Sequence, residues 1–314
     1  MPAADLGNDV ITRLGEVLGV KSEKTAEEMG GVWWQLWGAP QRAWLEASGD
    51  GARRVQLRTG AFEWFPGSLA QLAELSAELP VPTVAGLARR AGDPSRLELA
   101  TSFEVRDDTI DWVMTALPAA ARMQAAEARL LAQSKTLGRV GLVPEVDTEA
   151  KAPSSLSLRR GNLLQDRRTK HAGPCWDESE ISECADVLKA QMHAHTVRTG
   201  QGFQASFRLH SGEAARSILE VTTDCEDPLF GRGLLVVMST PTRGGPLGAM
   251  ALNEREVGSM SRGHALGGWW APKGGLLHHC LFFPQAIYQK GVALQLLLAY
   301  ARRAADADAL GGGT

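Results

Sequence analysis

Apolar residues recur at helical spacing near the start of the chain, where Val10, Ile11, Leu14, Val17 and Leu18 predict an amphipathic helix. Short strand candidates follow, separated by the hairpin-type breaks GAP and SGDG. These strands are predicted over 32–37, 42–48 and 53–59.

The rest of the first half adds a helix, two strands and a long helix. Ser68 can cap a helix that carries a leucine stripe up to Leu79, and prolines end it. Strands are predicted over 84–90 and 96–105, and a long helix from about 108 to 133. The order of elements is therefore α-β-β-β-α-β-β-α.

The second half repeats this order. Phe203, Ala205, Phe207 and Leu209 alternate strictly with other residues, so one face of their strand is expected to be buried. A helix near Asn253 is expected to have Asn253 or a neighbour as its cap. The predicted helices cover 177–197, 253–264 and 285–306, and the predicted strands 202–210, 216–224, 233–240, 267–272 and 276–283.

The repeated order predicts an α+β protein made of two tandem α-β-β-β-α-β-β-α modules, with antiparallel sheets each packed by helices. Such a duplication is expected to pack as an internal pseudo-dimer, either within a monomer or in a homodimer. The modules are predicted over 1–133 and 175–310. Residues 134–174, rich in Ser, Pro, Arg and Lys, are predicted to be an exposed basic linker.

Composition narrows the function. The formal net charge of −3 gives no overall attraction to nucleic acid or to anionic membranes. No apolar run is long enough for a transmembrane helix, and acidic residues near the start argue against a signal peptide. Four cysteines, none in a C-x-x-C pair, favour a reducing compartment. We therefore expect a cytoplasmic protein without a membrane partner.

The stretch LLHHCLFF places His278, His279 and Cys280 side by side. Neighbouring residues of a strand point to opposite faces, so the two histidines cannot ligate one ion there. His278 and Cys280 share a face, but a zinc site needs three or four ligands. We interpret the stretch as a half-buried strand, and we expect no metal and no cofactor.

The sequence signals for a catalytic carboxylate pair, a phosphate-binding loop or a known catalytic motif are equally weak. Asp107, Asp108 and Asp111 lie where a strand gives way to a helix, which favours a role at the positive helix end over a catalytic pair. The triplets GRG and RGG are too short to cradle a phosphate. No G-x-S-x-G, H-E-x-x-H or Walker A pattern occurs, so no catalytic residue is predicted.

Tryptophan is the more informative residue type, with nine in the chain. In the pairs Trp33-Trp34 and Trp269-Trp270, one ring can enter the core while its neighbour lies on the opposite face. An outward ring can anchor another polypeptide, although the long helices could also cover both rings. The candidate peptide contacts are Trp34, Trp37, Trp269 and Trp270.

The element order, with a long last helix, resembles that of the type III secretion chaperones (Tir chaperones) and their YbjN-like relatives. The segment LNEREVGSMSRGHALGGWWAPKGGLLHHCLFFPQ is similar to the end of that unit, whereas FEVRDDTIDWVMTAL in the first half lacks the F-x-P ending. The resemblance implies a non-enzymatic, chaperone-like or adaptor protein that binds a client polypeptide through sheet faces and edges.

Two alternatives remain open at the level of sequence. One is an enzyme with a divergent pocket near His278 and Cys280. The other is weak nucleic-acid binding through Arg159 to Lys170, which the net acidity and the absence of interleaved aromatic residues disfavour.

Overall fold

The chain divides into two compact units that exchange segments of the sequence. Unit 1 contains Met1–Leu75, Val84–Pro153 and Asn253–Leu266, and unit 2 contains Ser76–Thr83, Ser154–Leu252 and Gly267–Thr314. The computed structural model describes residues 3–19, 23–24, 31–47, 53–64, 72–74, 84–134, 137, 142–154, 178–209, 212–258, 263–272 and 276–311.

Unit 1 is built on an antiparallel sheet packed by two helices. The helices are α1 (Ala3–Leu18) and α2 (Ile110–Ala132). The strands are β1 (Glu23–Lys24), β2 (Val32–Leu36), β3 (Ala39–Ala47), β4 (Arg53–Glu63), β5 (Gly86–Arg90), β6 (Asp93–Val105) and β7 (Val143–Pro144). The strand order is β1-β2-β3-β4-β6-β5, and β7 pairs with β4.

Unit 2 has an antiparallel sheet of its own. The helices are α3 (Glu178–Met192), α4 (Gly245–Gly258) and α5 (Val292–Gly311), with a short 3-10 turn at Gln285–Ile287. The strands are β8 (His195–Thr199), β9 (Gly202–Leu209), β10 (Gly212–Asp227), β11 (Gly231–Arg243), β12 (Gly268–Trp270) and β13 (Leu276–Pro284). Helix α4 begins in unit 2, and its residues from Asn253 onward belong to unit 1.

The two sheets have the same topology, which confirms the predicted α+β fold and is consistent with a tandem duplication. The order β8-β9-β10-β11-β13-β12 in unit 2 matches β1-β2-β3-β4-β6-β5 in unit 1, strand for strand in chain order. In both sheets the last two strands are swapped relative to the sequence. Each half also has one edge strand more than we predict, β1 or β8. The internal pseudo-dimer stays a prediction.

Three predicted helices differ from the structure. The last one, predicted over 285–306, begins only at Val292, after the 3-10 turn at Gln285–Ile287, and continues to Gly311. The helix predicted over 177–197 ends at Met192, since His193 has a positive φ of 51° and His195–Thr199 forms a strand. The helix predicted over 253–264 spans Gly245–Gly258, so Asn253 lies inside it and does not cap it. The helix predicted from Ser68 lies almost wholly outside the described residues, of which 72–74 are helical.

Part of the predicted linker is ordered against unit 1. Strand β7 pairs with β4 at Phe62 and Glu63, and Arg129 on α2 donates a hydrogen bond to the carbonyl of Asp147 over 3.2 Å. Residues 155–177 lie outside the described part of the chain, so the linker stays a prediction there.

Candidate functional site

Three of the four candidate tryptophans lie inside the protein. Trp34, Trp269 and Trp270 are 1%, 1% and 3% exposed. This corrects the expectation that one ring of the Trp269-Trp270 pair faces outward, because both faces of strand β12 are covered. Their burial leaves these rings unable to contact a polypeptide in this structure.

Trp34 has a structural reason to be buried. Its indole Nε1 donates to Gln41 Oε1 over 2.8 Å, and Gln41 Nε2 donates to Thr59 Oγ1 and to the carbonyl of Ala121 on α2. Gln124 on α2 continues this chain by accepting from Thr59 at 2.7 Å. The buried polar groups are thereby satisfied, which tells us that Trp34 helps to join the sheet to α2.

Trp37 is the remaining candidate, and it is half-buried. It stands in the two-residue turn between β2 and β3, where Trp37 and Gly38 have positive φ values of 55° and 80°. Its carbonyl accepts a hydrogen bond from Arg129 Nη1 over 2.7 Å. The turn fixes Trp37 in place, and its ring stays available in part for a contact.

The His278-His279-Cys280 stretch forms strand β13, as predicted, although both faces are buried from His279 onward. The two histidines have separate partners: His278 Nδ1 lies 3.0 Å from Ser239 Oγ, and His279 Nδ1 lies 3.0 Å from the hydroxyl of Tyr300. Burial lowers the pKa of His278. Cys280 is fully buried.

These groups do not form a metal site. Within the described residues, no three His, Cys, Asp or Glu side chains are close enough together to hold an ion. The aspartates at the start of α2 make no cap either, because the N-cap residue is Thr109, whose hydroxyl donates to the carbonyl of Glu104 over 3.0 Å. Asp107, Asp108 and Asp111 are all exposed, and Asp111 lies in the first turn of α2, at the positive helix end as predicted.

Strand β5 is an edge of the first sheet, and a segment from the second half of the sequence covers it. Asn253 donates to the carbonyl of Leu87 over 2.9 Å, and the carboxylate of Glu254 accepts from the backbone N–H of Arg89 over 3.1 Å. Further along, Ala265 pairs with Ser102 of β6 through two backbone hydrogen bonds of 2.9 and 3.1 Å. Side chains of α4 therefore cover the edge of β5, and a single bridge at Ala265 continues the sheet beyond it.

His264 holds the same segment in place. Its Nδ1 accepts the backbone N–H of Glu104 over 3.2 Å, and its ring centroid lies 4.6 Å from that of Trp112. Burial, and then the positive charges of Arg54 and Arg106, lower the pKa of His264 to about 3. The imidazole is therefore neutral at ordinary pH, as an acceptor at Nδ1 must be.

Strand β8 is the edge of the second sheet, and in the described part of the chain no strand lies beyond it. Thr223 N donates to Gln201 O over 2.8 Å, so Gln201 turns its backbone groups towards β10. Along β9 the backbone groups point alternately to β10 and to β8, so Gly202, Gln204 and Ser206 turn theirs towards β8. Their partners His195, Val197 and Thr199 therefore bond to β9. The N–H and C=O groups of Thr196 and Arg198 consequently point away from the sheet.

The face of β8–β10 that points away from the helices is accessible, and we call it the open face. It carries His195, Val197, Ser206, Arg208, Arg216 and Ile218. Val197 is 48% exposed and Ile218 is 40% exposed. On the opposite face, Phe203, Ala205 and Phe207 are buried, so the strand alternation predicted from sequence is confirmed.

Arg198 does not obstruct the free edge. Its guanidinium turns towards α3, where it donates hydrogen bonds to the hydroxyl and the carbonyl of Ser182 and lies 3.6 Å from the carboxylate of Asp186. Strand β8 contains no proline, one of the residues that protect exposed strand edges. The edge is short, and within the described residues it is open to an incoming strand.

None of the helices in the described ranges combines the length and the apolarity that crossing a membrane requires. Comparison of the chain with models of protein families, with curated proteins and with solved structures finds no match. The site must therefore be interpreted from its own geometry.

Proposed function

We propose that this protein is a non-enzymatic, chaperone-like or adaptor protein that binds an extended segment of a client polypeptide. The segment adds as a further strand to β8. The observation that carries this proposal is the pair of outward backbone groups on Thr196 and Arg198, which have no partner among the described residues. Strand addition satisfies such groups and needs no covalent chemistry.

The covered edge of the first sheet supports the same mode of binding. There Ala265 forms a single antiparallel bridge with Ser102, in line with β5. In the matching strand orders β5 corresponds to β12 and β8 corresponds to β1, so this bridge supports only the general point that an edge of such a sheet can accept an added segment. Strand β8 has no such cover in the described residues. The type III secretion chaperone resemblance implies a client-binding role of this kind and belongs to the proposal.

Main-chain bonding alone gives weak binding. The N–H and C=O groups of Thr196 and Arg198 can form four hydrogen bonds, each worth about 0.5–1.5 kcal/mol net. Ordering an extended peptide offsets much of this gain. Side-chain contacts with Val197 and its neighbours must therefore add affinity and choose the client.

The proposal is tested by selecting a phage-displayed library of random 12-residue peptides against the purified protein. We expect binders rich in β-branched and apolar residues, which favour an added strand beside Val197. Thr196→Pro removes an outward N–H but leaves the bonds between β8 and β9, so it should abolish binding while circular dichroism stays unchanged.

Two further variants keep this experiment decisive. Val197→Lys places a charge on the free edge and should also abolish binding, even if Thr196→Pro fails to fold. The matched control is Gly200→Ala, in the turn after β8, where an added Cβ meets nothing within 4 Å. It should bind the selected peptides as wild type does. Peptides that bind Val197→Lys as tightly as wild type would refute the proposal.

The contact between Ser239 and His278 favours one alternative, an enzyme that uses a serine nucleophile. A hydroxyl 3.0 Å from an imidazole nitrogen is the first half of such a site. No carboxylate hydrogen-bonds to His278 in the described part of the chain, so the orienting third group is missing. A fluorophosphonate probe that labels Ser239 in wild type but not in His278→Gln would support catalysis, and absence of labelling would contradict it.

A further inference from the structure

Two arginines face each other at one end of the open face of unit 2, and a third lies at the same end of the sheet on β11. Arg208 on β9 lies directly opposite Arg216 on β10, and Arg243 on β11 lies opposite Leu276 at the same end of the sheet. All three arginines are exposed. Among the side chains that the structure describes, none forms an ion pair or hydrogen bond with any of the three.

Among the described side chains, this arrangement leaves positive charge uncompensated. Like charges directly opposite each other on neighbouring strands destabilise a sheet. The described acidic residue on the same face of β10, Glu220, is four residues from Arg216 along the strand, or roughly 13 Å. Glu220 also accepts a hydrogen bond from Gln204 over 3.4 Å. An anionic partner is therefore the simplest way to relieve the repulsion between Arg208 and Arg216.

The arginines lie on the path of a segment bound at β8. Strand β8 pairs with β9 only from Thr199 back to His195, where it faces Ser206. The chain then leaves the strand through His193, so Arg208 has no β8 residue beside it. A polypeptide that is added to β8 and continues past His195 runs two strand spacings, roughly 10 Å, from β9, and the long side chain of Arg208 faces the gap that β8 leaves there.

We propose that the client segment carries acidic side chains on the part that runs past His195, and that Arg208 and Arg216 bind these carboxylates. This inference rests on strand addition at β8, the function proposed above. Arg243, one strand further, extends the positive surface for longer acidic runs. Ile218 lies two residues from Arg216 on β10, and Val197 lies further along the sheet, in register with Gln204. Both side chains fit β-branched or apolar residues in the preceding part of the segment.

A polypeptide fits this surface better than a nucleic acid does. Single-stranded nucleic acid needs aromatic side chains on which its bases stack. The large apolar side chains that are exposed in the described residues are all aliphatic or methionine. Apart from the imidazole of His195, the described side chains of the open face offer cations and aliphatic contacts, which is the combination that an acidic, strand-forming peptide requires.

The peptide library tests this inference through the sequences that it yields. Binders selected on wild type should be enriched in Asp and Glu at one end, next to β-branched residues. The double variant Arg208→Gln/Arg216→Gln should bind a synthetic acidic binder about tenfold more weakly, and raised salt should weaken the wild-type complex in the same way. The matched control Arg302→Gln, an exposed arginine on α5, should bind as wild type does.

The outcomes separate the two proposals. Suppose that the selected peptides lack acidic residues and that Thr196→Pro still abolishes their binding. This result would overturn the acidic preference and leave strand addition standing. Peptides whose binding ignores Thr196→Pro and Val197→Lys would overturn both. A single-stranded RNA 20-mer that binds through Arg208 and Arg216, with no acidic peptide selected, would overturn the inference in favour of a nucleic-acid partner.

Discussion

Asn253 donates a hydrogen bond from Nδ2 to the carbonyl oxygen of Leu87 over 2.9 Å, and this contact depends on the residue before Leu87 having no side chain. A Cβ on Gly86 would lie 2.2 Å from Cγ and Oδ1 of Asn253. Both groups are buried. The close approach of α4 to strand β5 therefore requires glycine at position 86.

Gly86→Ala should lower the free energy of unfolding by about 1–3 kcal/mol, because the added methyl group displaces Asn253 from the edge of β5. Chemical denaturation measures the effect. Gly200→Ala is the control, since its new Cβ has nothing within 4 Å, and it should be neutral or slightly stabilising. Equal destabilisation by both variants would contradict the proposed close contact.

Asn253→Ala should also cost about 1–3 kcal/mol, because the carbonyl of Leu87 loses its buried partner. The double variant Gly86→Ala/Asn253→Ala should lose less free energy of unfolding than the sum of the two single variants, since the methyl group at position 86 then occupies space that the amide of Asn253 has left. Full additivity in the double-mutant cycle would show that the two residues are not coupled.

His264 predicts a pH dependence of stability. Its pKa is lowered to about 3 in the folded protein, whereas an unfolded histidine titrates near 6.5. Between these values the unfolded chain binds a proton that the folded chain does not, so this contribution to stability is complete above pH 6.5 and is lost as the pH falls towards 3. The loss is up to about 1.4 kcal/mol per pH unit.

Denaturation of wild type and His264→Gln at several pH values checks this dependence. Between pH 6 and pH 4, the free energy of unfolding of the variant should fall less steeply with decreasing pH than that of wild type. The difference in slope should be roughly 1.4 kcal/mol per pH unit, which corresponds to one proton. Gln191→Met, an exposed substitution on α3 that neither adds nor removes an ionisable group, should keep the wild-type slope. An unchanged slope in His264→Gln would mean that His264 is not the buried neutral histidine seen here.

The buried amide of Gln124 should contribute more to the free energy of unfolding through its hydrogen bonds than through the volume that its side chain fills. Gln124→Met keeps much of the side-chain volume but removes bonds of 2.7 and 2.8 Å to the hydroxyls of Thr59 and Thr101. We expect a loss of about 1–3 kcal/mol in the free energy of unfolding. Gln191→Met, on an exposed face of α3, should change stability by less than about 0.5 kcal/mol.

Sequence patterns predict most of the strands, because alternation reports burial directly. The alternating Phe203, Ala205 and Phe207 gave a strand with one buried face, and the structure confirms it. Strand β8 is missed because the helix predicted from the apolar pattern ahead of it extends to residue 197 and overlaps His195–Thr199. The β-branched residues Thr196, Val197 and Thr199 are the signal that could have found it.

Long-range contacts explain the other errors. A polar residue at position 253 suggests a helix cap, but its partner is a carbonyl 166 residues away in sequence. Likewise, the alternation of Trp269 and Trp270 cannot reveal that both faces of β12 are covered. The candidate site lies elsewhere, on an edge whose openness follows only from the sheet order.

Hydrogen exchange at the amides of Thr196 and Arg198 tests the central claim most directly. In the free protein both N–H groups point to solvent and should exchange quickly, whereas Val197 N–H, bonded to β9, should exchange slowly. A saturating peptide from the library should protect Thr196 and Arg198 at least tenfold, as expected of new strand hydrogen bonds. Protection elsewhere, with these two amides unchanged by the bound peptide, would contradict strand addition at β8.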